Sequence, residues 1–179
     1  MNTHQIHTPL GAVFFDRPAQ EVAEELLGKF LIREKNSVQY AFMITDVEAY
    51  EGLKDKASHA HRGRTKRNEP MFGSPGIWYV YFVYGMHWLL NIVTGNEGHP
   101  GAVLIRGIQH VSGPAKLTKF LTISSKENKM QATPENKLWI GDRNIYIPKK
   151  IIKKVPRVGV GYAGPVWAKK PYRYVVKEC

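Results

Sequence analysis

Apolar positions change period twice within the first fifty residues. After Asp16 the pairs Val22/Leu26 and Ala23/Leu27 are four apart, the spacing of one helix face. Asp16 can cap this helix, Pro18 suits its first turn, and Gly28 can end it. Phe30 to Ile32 then reads as a buried strand, followed by a turn near Lys35–Asn36. From Val38 to Tyr50 the chain alternates. Val38, Tyr40, Phe42 and Ile44 share one side, and the same period carries Asp46, Glu48 and Tyr50 onto that side. An apolar strand face thus turns acidic and aromatic at its end, a place where a sheet can deliver polar groups to a site.

Downstream, Lys54 to His61 reads as a short helix and Arg62 to Gly76 as a basic, turn-rich loop. Ile77–Tyr84 and His87–Thr94 pair as a hairpin with Gly85 at the tip. Ala102–Ile108 is another strand, and Gly113–Pro114 opens a helix over Ala115–Leu121. Ser124–Lys137 is polar and expected to be exposed, and short strands follow at Leu138–Ile140 and Asn144–Ile147. The glycine-rich run Arg157–Gly164 requires unusual backbone angles or close backbone approach. Strands and helices mix without a βαβ rhythm, repeat or low-complexity linker. The expectation is one α+β domain spanning residues 1–179.

Charge adds a partner to this picture. Lys and Arg number 26 against 15 Asp and Glu, a net charge of +11 that draws the protein to polyanions. The basic residues gather at Arg62, Arg64, Lys66 and Arg67, at Lys149, Lys150, Lys153, Lys154 and Arg157, and at Lys169, Lys170 and Arg173. Such runs are commonly just solvated faces, but three on one basic chain favour phosphate contacts. The lone cysteine, Cys179, leaves no internal disulfide, cysteine zinc site or iron–sulfur cluster and fits a reducing compartment. No secretory signal is visible at the start. The most apolar run, Trp78 to Val93, is about 16 residues and holds Gly85, His87 and Asn91, short of the roughly 20 of a membrane span.

Several side chains could carry chemistry. Glu48 follows an apolar strand, between Val47 and Ala49; desolvation there would raise its pKa and suit it to general-base work. By position alone, an ion-paired structural glutamate is the commoner outcome. Trp78, Tyr79, Tyr81, Phe82, Tyr84 and Trp88 supply rings for stacking on bases or for a core; period two separates Tyr79 and Tyr81 from Trp78, Val80, Phe82 and Tyr84. Tyr84, next to the tip, has little core to join. Arg106 faces opposite to Val103 and Ile105 and needs an acid or a substrate anion as partner. His59 and His61, two apart and without HExxH or cysteine support, do not form a metal site.

Together the segments Thr45–Gly52, Ser58–Ala60, Arg62–Asn68, Met71–Phe72, Tyr79–Met86, Asn91, Val103–Arg106, Gly113–Leu117 and Arg157–Gly161 resemble, in order, the alkyladenine (3-methyladenine) DNA glycosylase family. The resemblance implies a curved antiparallel sheet with flanking helices and a protruding hairpin, similar to the C-terminal domain of methionyl-tRNA formyltransferase. It implies a cofactor-free monomer acting on double-stranded DNA, with no membrane role. The implied reaction flips an alkylated or deaminated purine, such as 3-methyladenine, 7-methylguanine or hypoxanthine, and hydrolyses its N-glycosidic bond, leaving an abasic site. The implied location is the cytoplasm of a bacterium or the nucleus of a eukaryote.

Roles follow from the same resemblance. Glu48 would be the general base; Arg106 and the backbone carbonyl of Val158 would help hold the attacking water. Tyr50 and Tyr81 would sandwich the base, His59 would lie beside it, and Asn91 would meet the purine edge. Tyr84 would fill the gap left in the duplex, with Met86, Arg64 and Arg67 also on the DNA. One departure stands out. Only six residues, Gly107 to Ser112, separate Arg106 from Gly113, where relatives often hold a longer helical segment.

Three rivals are weaker. A non-catalytic nucleic-acid module would not need Glu48 and Arg106 together. A metal-dependent nuclease would want more carboxylates than Asp46, Glu51 and Asp55 near Glu48. A glycosylase–lyase would need an amine in the pocket, and the resemblance places no Lys there.

Overall fold

A computed structural model describes residues 7–176; Cys179 and the first six residues lie outside them. The strands are β1 (Thr8–Pro9), β2 (Phe30–Lys35), β3 (Val38–Glu51), β4 (Trp78–Val83), β5 (His87–Thr94), β6 (Gly101–Ile108), β7 (Val111–Ser112), β8 (Leu138–Asp142), β9 (Ile152–Val155) and β10 (Arg173–Val176). The helices are α1 (Ala12–Phe15), α2 (Ala19–Leu26), α3 (Pro114–Phe120) and α4 (Gly164–Trp167). The strands pair antiparallel in the order β1-β8-β2-β3-β6-β5-β4, with β10 and β9 branching from β3 and β7 from β6. The α+β reading holds.

One face of the sheet carries the main core. Val22, Ala23 and Leu26 of α2 and Leu117 of α3 pack there with Ile44, Val47, Ala49, Trp78, Val80, Leu90, Ile92, Val103, Ile105 and Ile108. The other face carries a smaller cluster of Tyr79, Val93 and Ala102 with Met71 and Ala60, against which Tyr81 packs. Alternation therefore sorts β4 as its sequence suggests.

In β3 the alternation breaks. Register slips between Ile44 and Asp46 and between Asp46 and Val47, while the facing pairs move from Ile108 to Gly107 to Ile105. Ile44 and Val47, three apart, both enter the main core. The bulge corrects the sequence expectation: Asp46, Glu48 and Tyr50 lie across the sheet from Ile44, not beside it. Bulges often re-aim a side chain in this way next to a site.

Four other expectations are revised. Asp16 does not cap α2; its N–H closes α1 onto the Ala12 carbonyl at 2.9 Å, and the helix start is capped at long range by Glu51, whose carboxylate accepts from the Ala19 N–H at 2.5 Å. Residues 54–61 form turns rather than a helix, because Asp55 accepts from the Glu51 and Ala57 N–H groups and Ser58 Oγ from the Ala60 N–H. Asn144–Ile147 is not a strand: Asn144 takes φ 57 and its N–H is held by Asp142. Ser124–Lys137 is partly buried. Its Asn128 side chain and Met130 carbonyl accept from Val80 and Trp78 N–H groups, covering the open edge of β4. Glu127 in this segment is buried against Arg33.

The hairpin β4–β5 runs beyond that cover. Tyr84 (φ 52) and Gly85 (φ 67) make its turn, and Phe82, Tyr84 and Met86 are exposed at its end. A tyrosine in left-handed backbone is uncommon. The short Arg106–Gly113 connection is a second tight hairpin, pairing Ile108 with Val111 and Gly107 with Ser112.

Candidate active site

Antiparallel register lines up a row of residues across four strands. Glu48 faces Leu104, Leu104 faces Asn91, and Asn91 faces Tyr79. Paired residues share a face, so the row puts Glu48, Asn91 and Tyr79 on the side away from α2 and α3. The next row, Tyr50, Ala102 and Val93, lies beside it. Turns 52–61 and the loop after Arg157 wall this face in.

Glu48 is fully buried. A buried carboxylate is costly unless donors replace its water. The Val158 N–H donates to Oε1 at 2.8 Å and the Tyr50 hydroxyl to Oε2 at 2.8 Å. Arg106 Nη1 stands 3.3 Å from Oε1. Arg106 is the residue passed over where β6 slips register, so its guanidinium reaches between Glu48 and Asp46, with Nε 3.7 Å from Asp46. Asp46 in turn accepts a two-pronged contact from Arg173 at 3.0 and 2.8 Å. The third strand of this network, β10, escaped the sequence reading, as did β9.

Beside Glu48 lies an open cavity of about 320 Å³, lined by Tyr50, Ala57, His59, Met71, Tyr79, Tyr81, Asn91, Ala102 and Tyr162. His59 stands edge-on to Tyr81 at 4.6 Å and its Nδ1 lies 2.9 Å from the Tyr79 hydroxyl. Burial, and then the Arg67 charge, pushes the His59 imidazole down to about 4. Burial, then the Glu48 charge, pushes the Tyr50 hydroxyl well up; burial raises Tyr79 and Tyr81 too. At neutral pH the wall is therefore uncharged. Asn91 spends its Nδ2 on the Tyr79 carbonyl, at 3.0 Å.

All four expected base-contacting residues, Tyr50, His59, Tyr81 and Asn91, thus meet in one cavity, with Glu48 and Arg106 next to it. Val158 reaches Glu48 through its N–H. Tyr84 is 86% exposed at the hairpin tip and Met86 is exposed nearby. Arg64 pairs with Glu69 at 3.4 Å and lies over Phe72; Arg67 donates to the Phe82 carbonyl and lies over Tyr81.

Arg157 is the exception among the basic clusters. It is not on the surface: its side chain and that of Asp55 are both at 0% exposure, joined by two hydrogen bonds. Its Nη1 also donates to the Ala49 carbonyl at 2.8 Å, and its guanidinium stacks over Tyr50 at 4.7 Å and Tyr172 at 5.2 Å. The pair fastens the end of β3, the 52–61 turns and the Val158 loop together. Tyr79 was legible as a neighbour of Tyr81, but nothing in local sequence marks Tyr162 as a cavity residue, Asp55 as the partner of Arg157 or Arg173 as the partner of Asp46. Among the described residues no group of three or more His, Cys, Asp or Glu is placed to hold a metal, and no helix is long and apolar enough to cross a membrane.

The family model described as methylpurine-DNA glycosylase matches residues 13–113 and 109–179. Among similar proteins, each named "Putative 3-methyladenine DNA glycosylase", that of Methanocella arvoryzae is 40% identical over 92% of this chain and 90% of its own length. The Ehrlichia chaffeensis protein is 40% identical over 96% and 95%, and the protein of the Wolbachia of Brugia malayi 43% identical over 82% and 87%.

Proposed function

The chain belongs to the methylpurine-DNA glycosylase family, and on that premise we propose that it flips an alkylated or deaminated purine from duplex DNA into the Tyr50–Tyr81 cavity and hydrolyses its N-glycosidic bond. It is a DNA glycosylase of base-excision repair. The finer reading rests on one observation. An ionised carboxylate offers about four lone-pair positions. Val158, Tyr50 and Arg106 approach three of those on Glu48, which leaves one for a water O–H.

In the reaction, the water oxygen bonds to the sugar C1′ as the C1′–N bond breaks. The bonding pair leaves with the base, and Glu48 takes the water proton. The fixed negative charge of Glu48 also favours the cationic character that builds on the sugar. Tyr50 and Tyr81 repay part of the cost of unstacking; flipping costs a few kcal/mol, and stacking on an aromatic returns roughly 1–3 kcal/mol per base. Asn91 meets the purine edge and His59 lies beside it. Tyr84 fills the vacated stack, helped by Met86, while Arg64 and Arg67 hold the backbone near the hairpin. The protein acts as a monomer and leaves an abasic site; that no Lys lines the cavity among the described residues supports a reaction without a strand-cleaving lyase step.

The test is incubation with duplexes that each carry one of 3-methyladenine, 7-methylguanine or hypoxanthine, then alkaline cleavage. Alkali-dependent strand breaks at the lesion are expected. Intact strands with every lesion contradict the reading.

A further inference from the structure

Tyr162 occupies a place that stability does not explain. It sits in a single 3₁₀ turn, Gly161–Ala163, within the loop that carries Val158. Its neighbours Val160 and Ala163 pack with Ala57, against Tyr50 and Trp167, in a small apolar cluster that Tyr162 does not join. The side chain is 70% exposed. It is nevertheless fixed: its hydroxyl donates to the buried Ala57 carbonyl at 2.8 Å, and its ring lines the cavity together with Tyr50, His59 and Tyr81. One hydrogen bond thus ties the Val158 loop to the 52–61 turns along the solvent side of the cavity. The turn itself has open space at Gly161, where an added Cβ would meet no atom within 4 Å.

Building on the glycosylase reading above, we propose that Tyr162 is a specificity-determining residue, the outer wall of the base cavity, which limits the size of the purine admitted. Tyr50 and Tyr81 are largely buried and set what stacks. Tyr162 is the wall a base extended by an extra ring must meet.

Hypoxanthine and 1,N6-ethenoadenine test this well, because both are neutral and they differ by a fused ring. Single-turnover release of each from duplex DNA is measured for the unmodified protein, Tyr162→Ala and Tyr162→Phe. One methylene in a snug pocket is worth roughly 10–200-fold, so Tyr162→Ala should raise the ethenoadenine-to-hypoxanthine ratio at least about tenfold. Tyr162→Phe keeps the ring and should leave the ratio within about twofold, even where loss of the Ala57 tie slows both bases. Appearance of ethenoadenine release in Tyr162→Ala alone counts as the same rise. An unchanged ratio in Tyr162→Ala, with the unmodified protein active, overturns the wall alone. If the unmodified protein releases neither base nor any methylated purine, the glycosylase reading fails and the wall with it. Melting curves accompany the rates, and the exposure of Tyr162 means that both variants should fold.

Discussion

Asp55→Ala isolates the fastening at the back of the site. Asp55 receives two hydrogen bonds from Arg157 and one each from the Glu51 and Ala57 N–H groups, at 3.2 and 3.0 Å. Both partners are shielded completely from water. Removing the carboxylate leaves a buried guanidinium whose remaining hydrogen bond is to the Ala49 carbonyl. Breaking a buried pair on one side costs about 3–5 kcal/mol, a large part of the roughly 5–15 kcal/mol that holds a domain together. Urea denaturation of Asp55→Ala should show a loss of that size. Replacing both partners, as in Asp55→Ala with Arg157→Met, removes the stranded charge and should recover most of it. Excision should not recover with it, because Arg157 also backs Tyr50 and precedes the Val158 N–H that holds Glu48. A loss below about 1 kcal/mol in Asp55→Ala would refute the reasoning, which takes the pair to be desolvated.

Tyr84→Ala should change stability by less than about 0.5 kcal/mol, since the ring is exposed, yet lower the flipped fraction read by the fluorescence of a 2-aminopurine placed next to hypoxanthine in the duplex; Tyr81→Ala should cost at least about 2 kcal/mol as well. Normal flipping by Tyr84→Ala would remove the hairpin tip from the groove. If about five phosphates are contacted, log K for duplex binding should fall with log salt at a slope near −4.5, and a slope near zero would make the basic surface irrelevant. His59 is held neutral in the fold, at about 4 against an ordinary 6.5, so the unfolded chain takes up its proton first as pH falls. Its contribution to stability should be complete above about 6.5 and decline toward about 4. Because His59 is exposed in the fold, water screens much of this effect. Denaturation at pH 7 and pH 5 should show a smaller loss for His59→Gln than for the unmodified protein; equal losses would assign the decline to other groups.

The helix face of Val22 and Leu26, the aromatic hairpin and the opposed faces of β4 were all legible, because one period runs unbroken through each. Glu48 was found, but on the wrong face. Alternation has no means of announcing a bulge, and two register slips around Asp46 decide where Glu48 and Arg106 point. Arg157 read as surface charge because its partner, Asp55, is about a hundred residues away in sequence. Ile152–Val155 and Arg173–Val176 are too short and too charged to show a period, and only pairing with β3 and with each other makes them strands. Local turn chemistry overruled pattern at Lys54–His61, where Asp55 and Ser58 bond to nearby backbone.

Glu48→Gln tests the central claim most directly. The substitution keeps the shape of the side chain but cannot accept the proton of the attacking water. Single-turnover excision from a duplex with one defined lesion should fall at least about 10²-fold, the usual contribution of a general base, while affinity for that duplex persists. Near-normal excision by Glu48→Gln would contradict the account, whatever the affinity.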